Sequence, residues 1–92
     1  MPYIKQDKRL LYNQAIDTIV NNLTSAGESD AAGHLNYIIS SIFKRYLDKK
    51  GIRYHHINML IGAMENAKLE CYARFARPFE DEAISRNGDI WV

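Results

Sequence analysis

Ten residues in three short stretches have the types needed to hold an anion that carries a flat ring. Lys5, Lys8 and Arg9 precede Tyr12, and Arg53, Tyr54, His55 and Asn58 follow one another closely. Asn36 and Tyr37 make a third, weaker pair. A guanidinium or ammonium group pairs with phosphate, while an aromatic face stacks on a base or lies beneath a cation. Local charge supports this reading. Lys5, Lys8 and Arg9 oppose only Asp7, and Lys44, Arg45, Lys49, Lys50 and Arg53 oppose only Asp48. Tyr3 and Tyr12 flank the first cluster, Tyr46 and Tyr54 the second. The same residue types also build the hot spots of protein interfaces, or a solvated charged rim. Glu80, Asp81, Glu82 and Asp89 leave an acidic excess near the end of the sequence, so head-to-tail pairing with the positive turn is a further possibility.

Other chemistry finds less support. Neighbours such as His55 and His56 point about 100° apart on a helix, so their rings do not readily meet at one metal ion, for which i, i+4 pairs are suited. They read as helix-start residues that cap or face solvent. His34 has no Cys or carboxylate at ligand spacing. No metal site and no cofactor are expected. Cys71 falls on an apolar stripe and is expected to behave as a small buried hydrophobe. No serine stands in a nucleophile elbow, and no Gly-rich phosphate loop occurs. The Glu80–Asp81–Glu82 run has the composition of a helix start. No catalytic residue is predicted, and the sequence reads as a non-enzyme.

These side chains must be positioned by helices. Pro2 and Pro78 are the only prolines, which leaves a long uninterrupted stretch. Tyr12, Ala15, Ile16, Ile19, Val20 and Leu23 follow three- and four-residue steps and predict a helix over 7–23. The run NNLTSAGESD predicts a loop, with Gly27 as a left-handed stop and Ser29 or Asp30 as the next cap. A second helix is expected over 32–50 on Leu35, Ile38, Ile39, Ile42, Phe43, Tyr46 and Leu47, with Lys49 and Lys50 in its last turn and Gly51 as its stop. The short joint that follows predicts antiparallel packing against a third helix over 54–76, whose stripe is Ile57, Leu60, Ile61, Met64, Ala67, Cys71 and Phe75. Glu70 and Arg74 are spaced to pair. Pro78 should end or kink this helix, a short acidic-to-basic helix should follow and stop at Asn87-Gly88, and Asp89-Ile90-Trp91-Val92 is β-prone.

Polar or small residues also recur at helical spacing: Asn13, Asp17 and Asn21; Asn36 and Ser40; Asn58, Gly62 and Asn66. Gly62 inside a helix costs about 1 kcal/mol relative to Ala. Close approach of another helix or a ligand is expected to offset that cost.

Composition bounds the rest. Ninety-two residues, 47% of them hydrophobic and 25% charged, read as one small globular domain spanning 1–92. A net charge of +1 builds no field for a nucleic-acid polymer. The lone cysteine excludes an internal disulfide and a Cys-rich zinc cage. No apolar run is long enough to span a membrane, and MPYIKQDKR lacks the apolar stretch of a signal peptide, so a soluble protein of a reducing compartment is expected. Three helices can bury most of the apolar residues, but six Tyr, three Phe and one Trp exceed one such interior. Some rings should therefore meet another molecule, and a homo-oligomer is expected.

The MPYIKQ start, GHLNYIIS, the INMLIGAMENAKLECYARFARPFED stretch and the NGDIW ending resemble an uncharacterised domain-of-unknown-function family found in phage and bacterial genomes. The resemblance covers nearly the whole length and is most specific at the start and the ending. It implies a compact helical protein working in a bacterial cytoplasm, that of the host if phage-encoded, and it assigns no activity or site. By analogy, unrelated small phage proteins of similar size are oligomeric sponges for nucleotide immune signals.

The expectation is thus an all-α, three-helix, bundle-like protein with a short C-terminal helix and extended tail. It would be oligomeric and non-enzymatic, and would sequester a small anionic ligand such as a nucleotide signal. The rival reading is an interaction module that docks on a host or phage protein through exposed tyrosines.

Overall fold

The computed structural model describes residues 2–92; Met1, the first residue of the MPYIKQ start, lies outside them. The fold is all-α, and no strand forms among the described residues. In chain order the helices are α1 (Gln6–Arg9), α2 (Asn13–Ser25), α3 (Glu28–Lys50) and α4 (Tyr54–Cys71). A π-helical turn (Tyr72–Ala76) and α5 (Arg77–Asn87) complete the order. The chain divides into two compact units, Tyr3–Leu60 and Ile61–Val92, with the boundary inside α4.

In the first unit, the helix expected over 7–23 is two helices. The amides of Lys8, Leu11 and Tyr12 donate to the carbonyls of Lys5, Lys8 and Arg9 at 3.0, 3.3 and 3.0 Å. These three-residue spans tighten the chain into turns between α1 and α2. The sequence explains the break: Leu10, Leu11 and Tyr12 are consecutive, and three successive residues sweep about 200° of a helix, too wide for one buried stripe. Arg9 Nε donates to the Ile4 carbonyl at 2.9 Å and ties the turn back.

The loop expected over NNLTSAGESD shrinks to Ala26 and Gly27. Its polar residues stay helical because their hydroxyls bond back to the preceding turn, Thr24 Oγ1 to Val20 O at 2.9 Å and Ser25 Oγ to Asn21 O at 2.8 Å. Gly27 is extended at φ −63° and serves as the N-cap of α3, so neither the left-handed stop nor a Ser29 or Asp30 cap forms. Glu28 and Asp30 instead face the positive end of the helix dipole in the first turn. The α2 and α3 helices pack together near this short linker.

The α3 helix stops where expected. Gly51 takes φ 101°, a conformation that L side chains resist, and its amide donates to Leu47 O at 2.8 Å. The joint to α4 is as short as expected. The first turn of α4 is tied to the end of α3: His56 Nδ1 meets Gly51 O at 2.8 Å, and the His56 ring meets Tyr46 edge-on at 5.8 Å.

In the second unit, the α register ends at Cys71, earlier than expected, and helical backbone continues through Pro78 by way of the π turn. The Arg77 amide bonds Tyr72 O, a five-residue span. Pro78 then sits in the first turn of α5, where its missing amide leaves little unsatisfied. Gly88, at φ 91°, stops α5. The tail forms a turn in which the Trp91 amide donates to Asp89 Oδ1 at 2.7 Å.

Burial departs most from expectation. Leu60, 8% exposed, is the only buried hydrophobic side chain among the described residues. Phe43 and Tyr46 are half-buried, while the other eight rings are exposed, Trp91 at 89%. Cys71 is exposed rather than buried. An added Cβ at Gly62 would meet nothing within 4 Å, so the close approach expected there is not made within its own unit. Periodicity marks which side of each helix is apolar; it does not guarantee that one chain covers it.

Candidate functional site

The α2–α3 pair creates a concavity. Ile19, Asn22 and Leu23 from α2 and Gly33, His34, Tyr37 and Ile38 from α3 line a cavity of about 390 Å³. The spacing accounts for it. Ile19 and Leu23 are one turn apart, as are Gly33 and Tyr37, and the two-residue linker brings both turns together. Gly33 leaves open space in front of its backbone. The floor is aliphatic, and polarity comes from Asn22, the His34 imidazole and the Tyr37 hydroxyl.

Tyr37, 70% exposed, also borders a second cavity of about 490 Å³ along the next turns of α3, together with Ser40, Ser41, Lys44, Arg45 and Asp48. Three- and four-residue steps from Tyr37 to Asp48 place these groups on one face. Lys44 Nζ reaches Asp48 at 2.7 and 2.9 Å, Arg45 donates to Ser41 O at 3.4 Å, and Ser40 Oγ donates to Asn36 Oδ1 at 3.0 Å. The Lys44–Asp48 pair is well exposed and contributes only about 0–1 kcal/mol, so an incoming anion can redirect Lys44 at small cost.

The ten residues selected from sequence lie in three places in the unit Tyr3–Leu60. Lys5 precedes α1, Lys8 and Arg9 lie on it, and Tyr12 closes the turn after it. Arg53 ends the joint, and Tyr54, His55 and Asn58 open α4, with Tyr54 81% exposed. Asn36 and Tyr37 sit in mid-α3. Among the described residues no hydrogen bond or ion pair joins one group to another; Arg9 bonds its own chain at Ile4 O. The His55 and His56 rings come to 4.2 Å, closer than helical geometry alone suggests, at a 57° tilt. Among the described residues no cluster of three or more His, Cys, Asp or Glu is placed to hold a metal ion.

Of the ten, Tyr37 lines the two cavities described here. Sequence reasoning passed over Ile19, Asn22, Gly33 and His34, because their proximity depends on the length of the α2–α3 linker. One signal was present: Gly33 and Tyr37 share a helical face that Asn22 can meet only if the linker is very short.

A family model described as Domain of unknown function (DUF6899) matches residues 1–90. No curated protein and no solved structure matches the chain. Among the described residues no helix is long and apolar enough to cross a membrane.

Proposed function

Because the chain belongs to the DUF6899 family of unknown function, we propose a role argued from its geometry: non-enzymatic binding, and hence sequestration, of a small anion that carries a planar ring. Nucleotide signals are ligands of this chemistry. The observation that carries the reading is the position of Tyr37 between two cavities of different character. A ring enters the aliphatic groove against Tyr37 and His34, and the anionic group lies along α3 toward Lys44 and Arg45. Aromatic stacking contributes about 1–3 kcal/mol per base. A charge-assisted hydrogen bond is about twice as strong as a neutral one.

Two features favour binding over catalysis. The Ser40 hydroxyl donates to Asn36 rather than to a base. The cavity that holds His34 has no carboxylate in its lining to orient the ring.

Thermal-shift measurements with linear and cyclic nucleotides test the proposal. A ligand present at 100 times its dissociation constant stabilises by about 2.7 kcal/mol. That stabilisation should vanish in Tyr37→Ala and weaken in Lys44→Ala and Arg45→Ala. If no nucleotide raises the melting temperature, the proposal fails.

Docking on a protein partner is the second reading, favoured by the joint exposure of Tyr12, Tyr37 and Tyr54. A protein partner would shield all three from surface labelling, whereas a small ligand would shield Tyr37 alone.

A further inference from the structure

Asn87 and Gly88 end α5 and lie outside both α3 cavities. Asn87 is the only asparagine followed by glycine, and no aspartate is followed by glycine. Asparagine is a thermolabile residue, and the residue after it sets how labile it is. The amide nitrogen of that next residue is the nucleophile that attacks the side-chain carbonyl. A glycine, without Cβ, leaves this nitrogen unhindered. All other asparagines precede residues that carry a side chain, and they lie within α2, α3 or α4.

The fold controls access to the reaction. Asn87 and Gly88 are both exposed to water. Gly88 takes φ 91°, and its amide donates to the Ile84 carbonyl at 2.8 Å. The attacking nitrogen is therefore held as a donor to the preceding turn, and ring closure at Asn87 requires that bond to open. Helix ends open at lower free-energy cost than helix interiors, so the turn both protects the site and exposes it from time to time.

We propose that Asn87–Gly88 is a site of spontaneous backbone modification, gated by the last turn of α5, whose isoaspartate product abolishes the helix stop. When the turn opens, the Gly88 amide gives up its proton to water and its nitrogen bonds to Asn87 Cγ. The Cγ–Nδ2 bond breaks, ammonia leaves with a proton from solvent, and a cyclic succinimide remains. Water then opens the ring at either carbonyl carbon and yields aspartate or isoaspartate. The net change converts one amide and one water into one carboxylate and one ammonium ion, with no oxidant or reductant.

Both products put a carboxylate at the negative end of the α5 dipole, close in sequence to Asp89, where it is unfavourable. Isoaspartate also lengthens the main chain by one atom, so the Gly88 amide loses its register with the Ile84 carbonyl. Opening of the turn permits the reaction, and the reaction makes the opening permanent.

The full chain, held at neutral pH and sampled over weeks, provides the test. Peptide mapping locates each converted asparagine, and an isoaspartyl methyltransferase labels the isoaspartate form. In folded protein and in concentrated urea alike, Asn87 should convert before any other asparagine, and at least tenfold faster in urea. The proposal is overturned if another asparagine converts first, if urea accelerates Asn87 by less than tenfold, or if Asn87 stays intact in both solvents. Amide hydrogen exchange then reads the helix stop. The Gly88 amide should be protected in the starting chain and exchange at its unfolded rate in the purified isoaspartate form. Protection that persists in that form also overturns the proposal.

Discussion

His56 reaches across the joint between α3 and α4 to the Gly51 carbonyl, with Nδ1 and oxygen 2.8 Å apart. The acceptor belongs to the glycine that stops α3, and the donor lies in the first turn of α4. One hydrogen bond therefore fixes the exit of one helix to the entry of the next, and the edge-on Tyr46 ring holds the imidazole in place. His56→Ala should cost about 1 kcal/mol, the net value of one such bond. At fixed protein concentration that lowers the melting temperature by about 4–8 °C.

Gly51 itself is the more sensitive position. Its φ of 101° lies where a Cβ crowds the backbone. Gly51→Ala should destabilise by about 1–2 kcal/mol, measured as a shift in the urea midpoint with an unchanged slope.

Gly33 should behave in the opposite way. An added Cβ meets nothing within 4 Å, so Gly33→Ala should stabilise α3 by up to about 1 kcal/mol through helix propensity. The same methyl group projects into the α2–α3 cavity and should weaken binding of any nucleotide that enters it. Melting temperature and titration calorimetry on this one variant should therefore move in opposite directions.

Arg53→Ala/Tyr54→Ala tests where a ligand sits. These residues line neither of the two cavities that Tyr37 borders, so nucleotide stabilisation should survive the double change and be lost in Tyr37→Ala. The converse result would move the site to the start of α4.

Pro78 offers a test of the π turn. Standing in the first turn of α5, it should change stability by less than about 1 kcal/mol when replaced by Ala. A change near 3 kcal/mol in chemical denaturation would mean that it interrupts a helix interior.

The all-α fold, the stop at Gly51, the short joint, the Glu70–Arg74 pair and the stop at Gly88 were legible because each depends on a few neighbouring residues. The NNLTSAGESD segment misled because Thr and Ser have two options, a turn or a back-bond to the preceding carbonyl, and local composition does not choose between them. Tyr12 was read as one more step of a stripe, although its neighbours Leu10 and Leu11 are also apolar and three adjacent residues cannot share one side of a helix. Cys71 was placed correctly on its stripe and wrongly in an interior. Tyr37 was legible as a polar aromatic residue in mid-helix. Its companions Ile19, Asn22 and His34 were not, since only the two-residue linker brings them near.

Leu60 as the sole interior hydrophobic residue described carries a calorimetric consequence. A cooperative domain of 92 residues absorbs about 1.1–1.4 kcal/mol/K more heat capacity once melted. With so little nonpolar area newly hydrated on melting, the increment of this chain should fall below that value. A scanning-calorimetry trace should accordingly be broad, with helix fraying spread over a wide span of temperature.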